Sequence, residues 1–570
     1  MSVIDYVREM HSAGLYSNVR LMSSLLITFS DNNPELLSPG AHYQLLVYHA
    51  DALHAEREFR KAEATYRQAL QQKKFLGKCV RVRSGAGAAA PPPPQGLPSE
   101  LEVKYKLADC YMNLRQDKDA IAVLDTVPAK QRTPKINMTL AGLYRKTGQE
   151  RSAITCYKEV LRQCPLALEA ILGLLSLSVK GAEVASLTVN TLQAMPLLEW
   201  LSMWIKAYAF AYARDYPRAI TTFCSLDKRM LLKDNVDLLT SLARTYFRSG
   251  DRKNAITRFQ QAQILDPYLI KSLDLYGYLL AKERRLEELE KLGVRLFGIS
   301  DQQAEPWVVM GYYCYKTKKH TRAVYLAAKA IQLNGGCVQA LLLKGSALRA
   351  MGKLHEAVLH FREAQRLAPN RLDCYEGLVE CYLSLQRTRD ALNLANAACK
   401  ALGCTAPVLT MYACVWLHET SSTDKAHGLI DRALAQQPDL IKAVIMKAEL
   451  LRRDQKCEEA MALVRAALTN RSVGILHRIL GDFLAAINNT QEAMDQYSIA
   501  LSLDRSDSRA LEGMQRLERE EGGGGAEGVS GEDDGDDVEG ISGEDGEGEL
   551  EVSDTETAPW AEHEQWFGMQ

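Results

Sequence analysis

The 570-residue chain predicts an all-α solenoid, helical hairpins stacked in file as a right-handed superhelix with a concave groove, ending in an acidic tail. Three observations carry that expectation. Between Val338 and Pro369, Gly345, Gly352, Ala357, Phe361 and Ala364 fall where two antiparallel helices and the turn between them need small or ring-shaped side chains. The same order returns every 34 residues from 236 to 405. From Gly522 onward there are sixteen Asp and Glu and no Lys or Arg.

Each position in the Val338 unit has a physical reason. Gly345 and Ala357 let the two helices approach closely, and Phe361 fills the space beside them. Gly352 reverses the chain, because a residue without Cβ adopts a turn conformation cheaply. Pro369 stops the second helix, since it lacks an N–H and biases its predecessor away from αR. This is the pattern of the tetratricopeptide repeat, a 34-residue helix–turn–helix unit. Five units start at 236, 270, 304, 338 and 372 with no insertion. Their anchors include Leu239, Ala243, Gly250, Ala255 and Phe259; Trp307, Gly311, Ala323 and Ala327; and Tyr375, Leu378, Ala391 and Ala395. The unit from 270 is degraded, keeping Leu273, Tyr276, Gly277 and Leu280.

Residues 1–76 read as an N-terminal helix pair followed by a first repeat unit (Leu46, Ala50, Leu53, Ala62, Tyr66, Ala69). The pair is either a cap or a subunit interface. A cap alone calls for a polar outer face; as an interface, the pair would meet a second copy at Val3, Val7, Leu21, Leu25, Leu26 and Phe29. Residues 77–99 form a Gly/Ala/Pro-rich linker with four consecutive prolines and no apolar period. Residues 100–235 resume the repeats. The unit from 134 is clear (Leu140, Ala141, Tyr144, Gly148, Ala153, Tyr157), but 168–233 fits poorly around Trp200, Trp204, Ala207, Phe210, Ala219 and Phe223. Residues 236–520 hold the regular array and a closing helix from Ser508; the unit from 406 carries one extra residue before Ala426. About thirteen helix pairs follow the N-terminal one. Residues 521–570 are the acidic tail, glycine-rich and expected to be disordered. Ser530, Ser542, Ser553 and Thr555 lie beside its acids, and Trp560, Trp566 and Phe567 near its end.

Charge is unevenly placed. The net value of −2 divides into the acidic tail and a basic body, residues 1–521 holding 69 Lys and Arg against 55 Asp and Glu. Such asymmetry suits charged protein partners or transient self-contact. No nucleic-acid signature accompanies it, so no nucleic acid is expected. No apolar run approaches 18 residues, so no membrane span is expected either. The start MSVIDYVREM is acidic where a secretory signal is basic. Thirteen scattered cysteines without a C-x-x-C suggest a reducing compartment and no structural zinc.

No reacting constellation emerges. His355, Glu356 and His360 read H-E-x-x-x-H, one residue too long for both imidazoles to share the face a zinc protease uses, and Ala357 between them is a packing alanine. The glycine runs lack a following Lys-Ser/Thr, and no G-x-S-x-G occurs. The chain is therefore expected to bind without catalysis and without a cofactor. In such arrays the first helix of each unit lines the groove, chiefly at positions two, five, nine, twelve and thirteen. Those positions supply Arg244, Phe247, Arg248, Tyr278, Lys282, Tyr312, Tyr315, Lys316, Arg349, Arg452 and Arg453. Aromatic and basic groups together suit an extended peptide with acidic side chains or a terminal carboxylate.

Longer segments carry a sharper likeness. NPELLSP (33–39), YQLLVYHAD (43–51), CPLALEAILGLLSLSVKGAEVAS (164–186), DPYLIK (266–271), LHRILGDFL (476–484), AMDQYSIALSLD (493–504) and the terminal QWFGMQ resemble the subunit 7 family of the anaphase-promoting complex/cyclosome, in a vertebrate form. The resemblance implies a non-catalytic scaffold in a cell-cycle ubiquitin ligase that controls mitotic progression and exit. It further implies homodimerisation through the N-terminal repeats, stacking on sibling tetratricopeptide subunits, and residence in nucleus, cytoplasm and mitotic spindle. The alternative is a free-standing adaptor taking acidic or C-terminal peptides in its groove.

Overall fold

The computed structural model describes residues 3–33, 37–83, 97–194, 199–228, 232–418, 423–470, 472–504 and 507–522. Over these the chain forms twenty-nine α-helices and no strand. The first two, Val3–Ser12 and Tyr16–Asn32, precede thirteen helical hairpins, and Ser508–Gly522 closes the series. Most helices pack on the next, and first helices also touch first helices of neighbouring hairpins, as in Ala304–Lys316 on Val338–Ala350. The array divides into two compact units, Met1–Arg258 and Phe259–Gln570.

The five regular repeats open where the 34-residue spacing puts them, at Val236, Leu273, Ala304, Val338 and Leu372. Only the degraded unit departs: its first helix, Leu273–Lys282, starts three residues late and runs ten residues, because Ser272 sits in the left-handed region (φ 69°) just before it. Asn235 opens the block by accepting a hydrogen bond from the Leu238 amide at 2.9 Å, which satisfies one orphan N–H of the first turn. The poorly matching stretch 168–233 still folds as two hairpins, Leu168–Ser176 with Gly181–Ala194 and Glu199–Tyr212 with Tyr216–Lys228. There Phe223, fully buried, and Tyr208, in edge contact with it, pack against the small residues Ala207, Ala211 and Ala219.

One boundary shifts. The helix Phe59–Arg83 extends seven residues past the expected end of the first repeat at 76, running through Gly77 with no proline to stop it before Pro91. The extra residue of the unit from 406 falls at 419–422, outside the described residues, as do 84–96 of the linker and 523–570 of the tail.

Close packing follows the small residues. A Cβ on Gly345 would lie 2.9 Å from the Phe361 ring, and one on Gly377 of the next repeat 2.4 Å from it. Phe361 therefore sits in a slot made by two glycines, 2% exposed. Between helices, the turn residue is held at positive φ at 250, 284, 318, 352 and 386, again 34 apart. Only Gly250 and Gly352 suit that conformation; Arg284, Lys318 and Gln386 adopt it against the preference of their side chains.

Candidate functional site

In the second unit, the first helices of four consecutive repeats (Leu273–Lys282, Ala304–Lys316, Val338–Ala350 and Leu372–Ser384) line one cavity. It brings together six of the eleven groove residues expected from the sequence: Tyr278, Lys282, Tyr312, Tyr315, Lys316 and Arg349. Phe361 forms part of its wall.

A polar network braces this cavity. The Tyr278 hydroxyl donates to Asp373, and the Arg371 guanidinium donates to the other Asp373 oxygen at 2.8 Å. The Gln339 amide, oriented by its neighbours, donates to the Tyr312 hydroxyl at 3.0 Å and accepts from Arg371 at 3.1 and 3.2 Å. Tyr312 in turn donates to the Gln339 backbone carbonyl at 3.2 Å. The rings of Tyr278 and Tyr312 meet edge to face at 5.6 Å. Burial alone would raise the Asp373 carboxyl; Arg371 and the hydrogen bonds from Tyr278 and Arg371 outweigh it and hold that group below the usual carboxylate range. Burial and the adjacent Asp373 push the Tyr278 phenol well above its ordinary value. Both tyrosines line the cavity while being largely buried, and through this network they brace it.

Each carboxylate lining the cavity already has a cation: Asp373 has Arg371, Glu376 has Lys442 at 3.3 Å, and Glu380 has Arg349. Lys282 and Lys316 have no carboxylate within ion-pair distance among the described residues. The Lys282 ammonium instead lies 5.4 Å from the centre of the Tyr278 ring. Burial, then the charges of Lys282 and Arg284, lower the Lys316 pKa. Lys282, exposed, and Lys316, half-buried, thus stand near one another with no ion-pair partner, Lys282 acting only through space on Asp373, and together they favour an anion.

The other five expected groove residues lie elsewhere. Arg244, Phe247 and Arg248 belong to Val236–Ser249 in the first unit, the two arginines exposed and Phe247 half-buried. Arg452 and Arg453 pair with Glu449 on their own helix, at 2.7 and 4.0 Å, and do not line the cavity. Conversely, Asp373, Glu376 and Glu380 occupy positions two, five and nine of the repeat from 372. The position rule contains them, but a search for aromatic and basic groups passes over acids. Arg371, in the loop before that helix, lies outside the rule altogether.

The N-terminal pair is the second candidate surface. Helix Tyr16–Asn32 buries Val19, Ser23 and Ser30 and exposes Leu21, Met22, Leu25 and Phe29. Leu25 is 70% exposed and Phe29 53%. Ser23, on the inner face, bonds to the Val19 carbonyl and to the His49 ring at 2.8 Å. Val3 and Tyr6 of the preceding helix are exposed as well. Two of the six residues expected at a dimer contact point inward: Val7 is fully buried with Val19, Leu45, Tyr48 and Ala52, and Leu26 packs half-buried against that cluster. Their place on the inner side of the helices removes them from any outer face. The pair is held to the next hairpin by His11, 3.0 Å from Asp51, which also receives Lys106 at 2.8 Å and Tyr66.

Stacked hairpins with bracing networks and two incomplete surfaces define a tetratricopeptide-repeat protein built for protein contact. The tetratricopeptide-repeat profile matches residues 102–131, 134–165 and 338–371. Human anaphase-promoting complex subunit 7 is 63% identical over 571 aligned positions, with all of both chains covered. The Arabidopsis thaliana subunit 7 is 30% identical, covering 89% of this chain and 92% of its own. A solved structure, the APC/C hetero-tetramer Cut9-Hcn1, shares the fold with a TM-score of 0.52 at 15% identity, over 91% of this chain and 96% of that one. The chain belongs to the anaphase-promoting complex subunit 7 family.

No helix of the described residues is long and apolar enough to cross a membrane. The described cysteines are free thiols; Cys314 and Cys381 are buried in the repeats and Cys414 half-buried.

Proposed function

We propose that this chain is a non-catalytic scaffold subunit of the anaphase-promoting complex, homodimerising through its N-terminal helix pair and stacking on sibling tetratricopeptide subunits. The proposal places it with the ligase in nucleus, cytoplasm and mitotic spindle, where the complex controls mitotic progression and exit. One observation carries the dimer: helix Tyr16–Asn32 turns Ser23 and Ser30 inward while Leu21, Leu25 and Phe29 face outward, an exposed apolar stripe that a monomer does not need. Leu21, Leu25 and Phe29, at i, i+4 and i+8, make one continuous stripe. Burying each such side chain is worth about 1.5–3 kcal/mol, enough in a symmetric pair of stripes to sustain a dimer. Coexpression with the sibling and cullin- and RING-type subunits, followed by affinity capture, tests the scaffold role. Stoichiometric recovery is expected; a chain that sediments alone from mitotic lysate contradicts it.

A second reading, a free-standing adaptor for acidic or C-terminal peptides, is favoured by the uncompensated Lys282 and Lys316. Under it, charge reversal at Lys316 with Arg349 abolishes peptide capture, whereas a scaffold so changed still assembles.

A further inference from the structure

We infer that the cavity at Lys282 and Lys316 is occupied in cis by the acidic cluster Glu532–Glu539 of this chain's own C-terminal segment. The inference rests on the cavity as an anion site and is independent of the assembly role. Its first support is charge. Every carboxylate lining the cavity is matched by a cation, so the two lysines call for negative charge from outside the array. The segment after Gly522 offers sixteen carboxylates and no competing base, five of its first six in the run Glu532-Asp533-Asp534-Gly-Asp536-Asp537. Glycine beside the acids lets the backbone approach a groove closely.

Tethering is the second support. Arg284, two residues beyond Lys282, forms an ion pair with Asp504, 220 residues later in sequence. The end of the last hairpin is therefore anchored beside the cavity's rim. From Asp504, a short link and the fifteen-residue helix Ser508–Gly522 add at most about 35 Å. The ten residues from Gly522 to Glu532 span up to about 35 Å in the return direction. Glu532 reaches the rim near full extension and the later acids, up to Glu539, with about 25 Å of chain to spare, and a tether of this length gives an effective concentration near the millimolar range. Each contact is weak and screened by salt, so occupancy is reversible. A partner's acidic segment must then displace the tail, and phosphorylation at Ser530 or Ser542 adds charge that holds it more firmly.

Zero-length carbodiimide coupling of the intact chain at low ionic strength, read by mass spectrometry, tests the inference. Links from residues 532–539 to Lys282 and Lys316 are expected at least about tenfold above links to exposed Lys61 and Lys253, falling to that background in about 1 M salt. Mixing isotopically light and heavy chains should leave these links within single chains. The full chain carrying Asp533→Asn, Asp534→Asn, Asp536→Asn and Asp537→Asn should bind an added peptide of sequence GEDDGDDVEG about tenfold tighter than the unaltered chain does. Links spread over exposed lysines in proportion to exposure, light–heavy links at the statistical rate, or equal peptide binding by the two chains would each overturn it. Capture of sibling subunits reads out separately, so either proposal can fail while the other stands.

Discussion

The outer stripe of helix Tyr16–Asn32 and the Lys282–Lys316 cavity are both unfinished surfaces, but they lack different things. The first has apolar area in excess, with Leu21, Leu25 and Phe29 in water. The second has charge in excess, two ammonium groups over a network in which every lining acid is already paired. An apolar surplus is relieved by a permanent partner and responds little to salt. A charge surplus is relieved by a ligand that exchanges and weakens as salt rises. One chain thus carries a surface suited to constitutive assembly and another suited to reversible contact.

The sharpest way to separate the two is to remove the support of one only. Phe361→Ala empties the slot between Gly345 and Gly377 at the cavity wall and should cost about 3–5 kcal/mol in denaturant unfolding, while the mass of the native species stays unchanged. An unaltered melting temperature would contradict the slot. Next in size, Leu25→Glu with Phe29→Glu should weaken self-association at least about 100-fold, or about 2.7 kcal/mol, with unfolding free energy within about 0.5 kcal/mol. Sedimentation over a concentration series reads the first quantity, and thermal denaturation the second.

Acid should expose a difference inside the first unit. Burial would raise the Asp51 carboxyl, yet hydrogen bonding from His11 and the charge of Lys106 prevail and hold it below its ordinary value. A depressed carboxyl stabilises fully above its unfolded pKa, about 3.9, and loses that contribution as pH falls through the lower folded value. Asp51→Asn should cost about 1–3 kcal/mol at neutral pH and flatten the stability profile below about pH 4, without altering peptide binding at the cavity. An identical profile in both chains would remove Asp51 as the anchor of the N-terminal pair. The smallest effect lies at a turn: Gln386→Gly relieves the positive φ that Gly250 and Gly352 accommodate freely, and should raise stability by about 0.5 kcal/mol. A loss of stability there would show that the Gln386 side chain contributes something its backbone strain conceals.

Repeat boundaries were legible because 34-residue spacing is a property of sequence; Gly345 announces a close approach and Gly352 a turn. The turn conformation was only half visible, since Arg284, Lys318 and Gln386 share it without advertising it. Orientation was harder. Helical spacing collects Val19, Leu21, Leu25, Leu26 and Phe29 but does not say which arc meets the next hairpin, and the serines that face inward look like surface residues. In the cavity, the position rule identified side chains one at a time, whereas Tyr278 and Asp373 are 95 residues apart and their pairing exists only in the fold.

The mass of the purified full chain in solution, measured beside the Leu25→Glu/Phe29→Glu chain, tests the scaffold reading most directly. The account predicts twice the chain mass of 63.5 kDa for the first and a folded monomer for the second. A monomeric unaltered chain, or a variant that stays dimeric, would contradict it.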